Sequence, residues 1–295
     1  MSDPIIRLLT HDDLDGAFRL STCIGWNQRL DDWRMLLRLA PAGAFAAVTD
    51  ACDAPIVGTA IGVDYGAFAW IAMMLVDPAW RGRGIGRRLL EAAMNAVASN
   101  VPIRLDATPL GRPLYQRFGF EDEATLSRQV RDAGPKPRAP SLVRPLTEAD
   151  LAVVIGQDRE TFGGTRGSVL EWAFKCAPQY ARVIRSDDGV MQYCLGRPGR
   201  LFDQIGPVVA NDDETAHALV CAALAEAGER HVVIDAFDER RAFTGALRAD
   251  GFVFERPLVR MCRLPEACSN ESRARPGEER RHVSQEFAIL GPEFA

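Results

Sequence analysis

The apolar run from Trp70 to Val76 is cut by Asp77-Pro78, and a short distance on the pattern changes period. From Arg81-Gly82-Arg83-Gly84-Ile85-Gly86 onward, the apolar positions Ile85, Leu89, Ala93 and Val97 recur every fourth residue. Such a change of period predicts a strand, a tight turn and an amphipathic helix. Upstream, Ile5 to Leu9 reads as a first strand, and Thr10 opens a helix with Asp13 in the capping-box position. The loop Cys23 to Gln28 leads to a second helix, from about Asp31 through Trp33, Met35, Leu36 and Leu39. Gly43–Val48 and Ile56–Val63 read as antiparallel partners, Ile103–Ala107 as a fifth strand and Leu114 to Phe120 as a short helix ending in Gly-Phe.

Residues 131–141 hold three prolines and no large apolar side chain, so a linker is expected over 133–141. The pattern then restarts. Arg144-Pro145-Leu146-Thr147 with Asp150 repeats Arg7-Leu8-Leu9-Thr10 with Asp13, and Ala246 to Phe252 repeats Leu114 to Phe120. Two anchors in the same order at nearly equal offsets indicate a duplicated unit, residues 1–132 and 142–295. From Pro265 to His282 the chain turns polar and a loose loop is expected; Phe287 to Phe294 is expected to add a last strand, with Glu293 reaching the acceptor pocket as the alternative.

Glycines in a strand-to-helix turn let backbone N–H groups point at a ligand from the positive end of a helix dipole, an arrangement suited to phosphate. A Walker loop needs Lys-Ser/Thr after its last glycine, and here Arg87-Arg88 follow Gly86. A dinucleotide fingerprint needs G-x-G-x-x-G, but Gly82, Gly84 and Gly86 are spaced by two. Composition narrows the field further. The 295 residues are 47% hydrophobic and 25% charged with a net charge of −5, which suits a globular two-unit protein and disfavours nucleic acid or an anionic membrane as partner. The seven cysteines include no C-x-x-C pair and the four histidines are scattered, so no metal site is expected from spacing and a reducing, cytoplasmic setting is.

The stretch V-D-P-x-x-R-G-R-G-I-G-R-x-L-L resembles the acyl-coenzyme A motif of the GCN5-related N-acetyltransferases, whose consensus Gln/Arg-x-x-Gly-x-Gly/Ala is met by Arg81, Gly84 and Gly86. Tyr115, five residues before Phe120, resembles the tyrosine of the family's later signature. The resemblance implies an α/β (α+β) protein with two tandem folds, each a mixed, mostly antiparallel sheet flanked by helices, and acetyl-CoA as the donor. It implies that the backbone of Gly82 through Arg87 holds pyrophosphate with help from Arg81, Arg83, Arg87 and Arg88, the last two also readable as a solvated helix face. By the same analogy Met74, Leu75 and Val76 line the thioester, and Tyr115 protonates the leaving thiolate. Thr108 stands where many relatives carry Asn. Trp26, Asn27 and Gln28 fall in the loop that walls the acceptor pocket, while Trp33 reads as packing.

The second unit resembles the family's degenerate C-terminal domain. Asn211-Asp212-Asp213-Glu214 puts carboxylates where a pyrophosphate would sit, and Leu247 replaces Tyr115. One working site, in the first unit, is therefore expected. An amine of pKa about 10.4 is charged at neutral pH and needs a base or a desolvating pocket; Asp64 and Asp106 are candidates, each also readable as a turn or capping residue. The reading is an N-acetyltransferase for a small-molecule primary amine, with a homodimer left open. A non-catalytic CoA-binding sensor is the alternative.

Overall fold

The computed structural model describes residues 3–50, 55–186, 189–265 and 285–295. The expected loop from Pro265 to His282 lies, beyond its first residue, outside them. The first unit runs β1 (Ile5–Leu8), α1 (Leu14–Cys23), α2 (Leu30–Leu39), β2 (Ala44–Val48), β3 (Ile56–Asp64), β4 (Ala69–Val76), α3 (Ile85–Asn95), β5 (Ile103–Ala107), α4 (Arg112–Arg117) and β6 (Glu121–Arg131). The second runs β7 (Arg144–Pro145), α5 (Glu148–Phe162), α6 (Gly167–Cys176), β8 (Arg182–Arg185), β9 (Met191–Arg197), β10 (Asp203–Val209), α7 (Asp213–Leu224), β11 (Val232–Phe237), α8 (Arg241–Ala249), β12 (Val253–Arg263) and β13 (Glu286–Ile289).

The repeat seen in the sequence is built twice with the same atoms. Arg7 donates to both oxygens of Asp13 at 2.7 Å while Asp13 accepts from the Thr10 N–H and hydroxyl, and Arg144, Asp150 and Thr147 do the same at the head of the second unit. Each set satisfies helix N–H groups that would otherwise be orphaned. At the other anchor, Phe120 N–H donates to the Tyr115 carbonyl and Phe252 N–H to the Leu247 carbonyl, both through a left-handed glycine, Gly119 or Gly251.

The two halves do not form separate sheets. Among the described residues the strands make one sheet in the order β1-β2-β3-β4-β5-β12-β6-β11-β13-β10-β9-β8-β7. β12, from the second half, pairs with β5, and β6, from the first half, pairs with β11, so each half supplies the other's penultimate strand. This exchange is absent from the hydrophobic pattern because β6 reads as largely polar; its buried positions are few, Leu126, Arg128 and Gln129. A core on one sheet face runs through both halves, from Trp33, Leu36 and Trp70 to Val169, Tyr193 and Phe294. On the other face α3 packs Ile85, Leu89, Leu90 and Ala93 over the first half, and α7 and α8 cover the second with Leu219, Phe243 and Leu247.

Candidate active site

β4 and β5 are parallel neighbours only at Ala69↔Ile103 and Trp70↔Arg104. Beyond Trp70 they splay, and the β5-side edge of β4 has no strand partner among the described residues. On its other edge β4 bulges against β3: Thr59 pairs with Leu75 and Ile61 with Ala72, so Met73 and Met74 together face Ala60. Met73 takes a left-handed φ of 50°, its carbonyl held by the Thr59 hydroxyl at 2.8 Å. A non-glycine residue held there costs on the order of 1–2 kcal/mol, a strain that concentrates at functional sites.

The splay opens a cavity of about 570 Å³ lined by Ile71 to Val76 of β4, by Asp106, Thr108 and Tyr115, and by the loop Ile24 to Gln28. Of the residues singled out in the sequence, Trp26, Asn27, Gln28, Met74, Leu75, Val76, Arg81, Thr108 and Tyr115 come together on this one lining. Glu293 joins them from the far end of the chain. Gly82, Arg83, Gly84, Ile85, Gly86 and Arg87 do not line it. They form the exposed turn beside it and the first turn of α3.

In that turn Gly82 and Gly84 have φ of 77° and 75°, and a Cβ built on either would meet nothing within 4 Å. Backbone conformation alone therefore calls for glycine at both positions. The described backbone hydrogen bonds include none donated by the N–H groups of Gly82 through Arg87. Those donors and the α3 dipole make an anion cradle. Arg81 donates to the Val76 carbonyl at 3.2 Å, fixing the turn to the end of β4, and the Arg83 guanidinium lies 4.7 Å over the Trp80 ring. Arg87 pairs with Glu91 one helical turn on, and Arg88 lines a separate shallow hollow beside β1.

Tyr115 is buried, its ring set edge-on to Phe120, and no described residue hydrogen-bonds its hydroxyl. Burial raises its pKa above the ordinary tyrosine range, so it enters any reaction as a neutral donor. Thr108 accepts from Gly111 N–H and shapes the entry to α4. Asp106 lines the cavity, but both its oxygens are held by Arg260 at 3.0 and 3.1 Å; its pKa is raised by burial, against the pull of Arg260. Asp64 closes the β3–β4 turn by accepting from Gly66 N–H and is not on the lining. Trp33 is fully buried with its indole N–H on Ser21.

Arg128 of β6 also lines it, and the second half completes the lining with Phe202, Glu255, Arg256, Leu258, Pro292 and Glu293. The loop 26–28 is tied to it: the Asn27 amide accepts from Leu201 and Phe202 N–H and donates to the Phe202 carbonyl, and Arg200 donates to the Trp26 carbonyl. Both ends of the Asn27 amide are thereby engaged across the halves, whereas the buried Gln28 Oε1 has no partner among the described residues. Arg128 is clamped by both oxygens of Asp235. Asp32, Arg197 and Glu293 form a buried network in which Arg197 donates to both carboxylates. Asp32 is pushed up to about 6 by burial, against the pull of Arg197 and with a further push from Glu293.

The corresponding splay in the second half is closed. β13 lies between β10 and β11 and pairs with both, filling the slot that stays open between β4 and β5. At the α7 N-terminus Asp212 accepts from Thr215 N–H and Asp213 from Phe243 N–H, so carboxylates take up that turn. The histidine pattern showed no cluster, yet the fold brings His217, Cys221 and Asp250 into one hydrogen-bonded group on α7 and the end of α8. The four-residue step from His217 to Cys221 on a helix was the legible half of that group.

The splayed parallel pair, the glycine cradle at the following helix and the duplicated topology define a class: an acyl-group transferase fold built twice in one chain. Comparison with known proteins agrees. One acetyltransferase (GNAT) domain model matches residues 154–273 and another residues 42–122, together more than half the chain. The chain belongs to the GCN5-related N-acetyltransferase (GNAT) superfamily, with two GNAT units in tandem. It is 27% identical over 191 residues to the uncharacterized N-acetyltransferase YitH of Bacillus subtilis, covering 64% of this chain and 67% of that one. It is 26% identical over 229 residues to a holothin acyltransferase of Pseudoalteromonas, covering 77% and 76%. In fold it matches a crystal structure of a putative acetyltransferase from Pyrococcus horikoshii over 100% of this chain and 97% of that one, with a TM-score of 0.76 at 23% identity. Among the described residues no helix is long and apolar enough to cross a membrane.

Proposed function

We propose that the chain is an N-acetyltransferase that uses acetyl-CoA to acetylate a primary amine of a small molecule, with one working site in the first unit. The observation that carries this reading is the continuity of three features: the unpartnered N–H groups of Gly82 to Arg87, the unpartnered edge of β4 and the unpartnered Tyr115 hydroxyl, which adjoin one cavity. The residues fit the donor. The cradle offers six backbone N–H groups and no carboxylate, with Arg83 beside it. The open β4 edge at Met74 to Val76 offers the backbone groups that a pantetheine amide and a thioester carbonyl require. Bound acetyl-CoA would supply the activated acetyl group.

The chain's own groups account for the rest. A backbone donor on the β4 edge aimed at a developing oxyanion is worth about 3 kcal/mol. Tyr115 stays protonated, and full transfer of its proton to a thiolate of pKa about 8.5 is uphill by at least 1.5 units, about 2 kcal/mol. It therefore acts as a hydrogen-bond donor to developing negative charge at sulfur. In the second half β13 and the Asp212–Asp213 turn occupy the equivalent places, which supports a single site per chain.

Titration with CoA and with acetyl-CoA by calorimetry, alongside thiol release across a panel of amines, tests the reading. Saturable CoA binding with amine-dependent thiol release is the expected result. CoA binding without turnover, unaffected by Tyr115→Phe, would establish the sensor instead, and no CoA binding would refute both.

A further inference from the structure

The last eleven residues do two jobs in sequence. β13 fills the closed splay of the second half, and the chain then leaves the sheet and runs to the cavity of the first. Its carbonyls are held one after another: Leu290 by Arg197, Pro292 by the Trp70 indole, Phe294 by the Tyr65 hydroxyl and Ala295 by Arg166. The Phe294 ring packs tilted against Trp172, with ring centroids 4.9 Å apart. Donors from both halves therefore fix the tail as a wall of the site. That wall presents Glu293, which is 2% exposed; one of its oxygens is taken by Arg197, and Oε2 has no partner among the described residues. Gln28, on the same lining and 6% exposed, likewise has an unpartnered Oε1.

A buried acceptor left unsatisfied costs about 1–3 kcal/mol, and more when charged. Two on one cavity point to a ligand that brings donors. We infer that Glu293 Oε2 and Gln28 Oε1 form the subsite that receives the acceptor's primary ammonium group, delivered to the first unit's cavity by the C-terminal tail of the second. A primary ammonium offers three N–H donors and one positive charge, which match one carboxylate oxygen and one amide oxygen. The Asp32–Arg197–Glu293 network carries one more negative than positive group, so a cation completes it. Of the cations on the lining, Arg128 is neutralised by Asp235 and Arg81 is bonded to the Val76 carbonyl. Arg256 is half-buried and makes no close ion pair among the described residues, though it lies in the field of Asp235, Glu255 and Glu293. With the Arg256 guanidinium on the same lining, the subsite favours an amine that also carries an anionic group, as an amino acid does, over a plain alkylamine.

The inference rests on the acetyl-transfer reading for the ligand's place but not for its detection. Binding of alkylamines and amino acids is measured by calorimetry without CoA, and kcat and KM for the same panel with acetyl-CoA. Glu293→Gln and Gln28→Leu keep shape and remove charge or acceptor. The expected result is a loss of amine affinity and a rise in KM of about ten- to a hundred-fold in Glu293→Gln. A smaller loss of the same kind is expected in Gln28→Leu, with CoA affinity unchanged in both. Arg256→Ala is expected to weaken amino acids and spare alkylamines. Amine binding that depends on Glu293 without turnover would uphold the subsite and sink the acetyl-transfer reading. Turnover with unchanged KM in folded Glu293→Gln and Gln28→Leu would overturn the subsite and leave the reading standing, and no amine binding by the wild type would also overturn it.

Discussion

Gly84→Ala and Gly86→Ala separate backbone conformation from space in the cradle. Gly84 has φ of 75° and nothing within 4 Å of a built Cβ, so alanine there meets no clash and is penalised by the left-handed conformation alone, about 1–2 kcal/mol. The exposed turn is free to relax to a negative φ in the unliganded protein and must then be driven back to present its N–H groups. Binding carries that cost, so CoA affinity should fall by about 5- to 30-fold. Gly86 has an ordinary φ, and its built Cβ lies 3.5 Å from a Val76 methyl and 3.7 Å from Leu114, normal contact distances. Alanine at this helical position should leave CoA affinity within about twofold and add up to about 1 kcal/mol of stability through helix propensity. Calorimetric titration with CoA and urea melts of both variants provide the assay. Unchanged CoA affinity in Gly84→Ala with a large loss in Gly86→Ala would refute the argument, since it would mean that space near residue 86, and not backbone conformation at 84, governs the cradle.

Tyr115→Phe removes a hydroxyl that no described residue bonds, so the melt should be unchanged while kcat falls about 10- to 100-fold and CoA affinity holds, read by steady-state kinetics and calorimetry. Arg197→Met strands two buried carboxylates, Asp32 and Glu293, and should lower stability by about 3–5 kcal/mol in urea unfolding. Asp32 has a folded pKa of about 6 against about 3.9 for a free side chain. Its contribution to stability is therefore full below about pH 4 and is lost as pH rises through 6. Wild type should lose on the order of 3 kcal/mol relative to Asp32→Asn across that window, measured by urea melts at several pH values. Asn27→Ala breaks three hydrogen bonds between the halves and should cost about 2 kcal/mol with weakened acceptor binding.

What the sequence showed and what it hid divide along a physical line. Local patterns were legible: the strand-turn-helix from Trp70 to Val97, the Arg7-Thr10-Asp13 box and its copy at Arg144-Thr147-Asp150, and the Tyr115 to Phe120 turn all depend on residues within a few positions of one another. The gathering of Trp26, Gln28, Met74 and Tyr115 onto one cavity followed from those patterns once the family resemblance ordered the strands. The exchange of β6 and β12 was not legible, because neither strand carries a clean alternation and both are registered by partners more than 100 residues away. Asn27 read as a ligand contact by position, yet its amide is engaged by the backbone of residues 201 and 202. The employment of Asp106 was hidden for the same reason: Arg260, its partner, lies on a strand contributed by the other half.

The exchange also explains why a half without an open splay is kept in the chain. Strand β5 is flanked on its outer side by β12, and the cavity between β4 and β5 is lined by Leu258, Arg256 and Glu255 of that strand. The cavity loop 26–28 is held by Arg200 and the backbone of residues 201 and 202, and Trp70 of β4 is hydrogen-bonded to the tail at Pro292. Removing the second half would thus strip the first of a sheet neighbour, a loop anchor and a cavity wall, and would expose Trp33 and Trp70, which share a core with Phe294. The second unit's own slot is filled by β13, while its tail and its exchanged strand line the cavity of the first. On the proposed reading, the first unit's reaction depends on residues as distant in sequence as Gln28 and Glu293, which line one cavity.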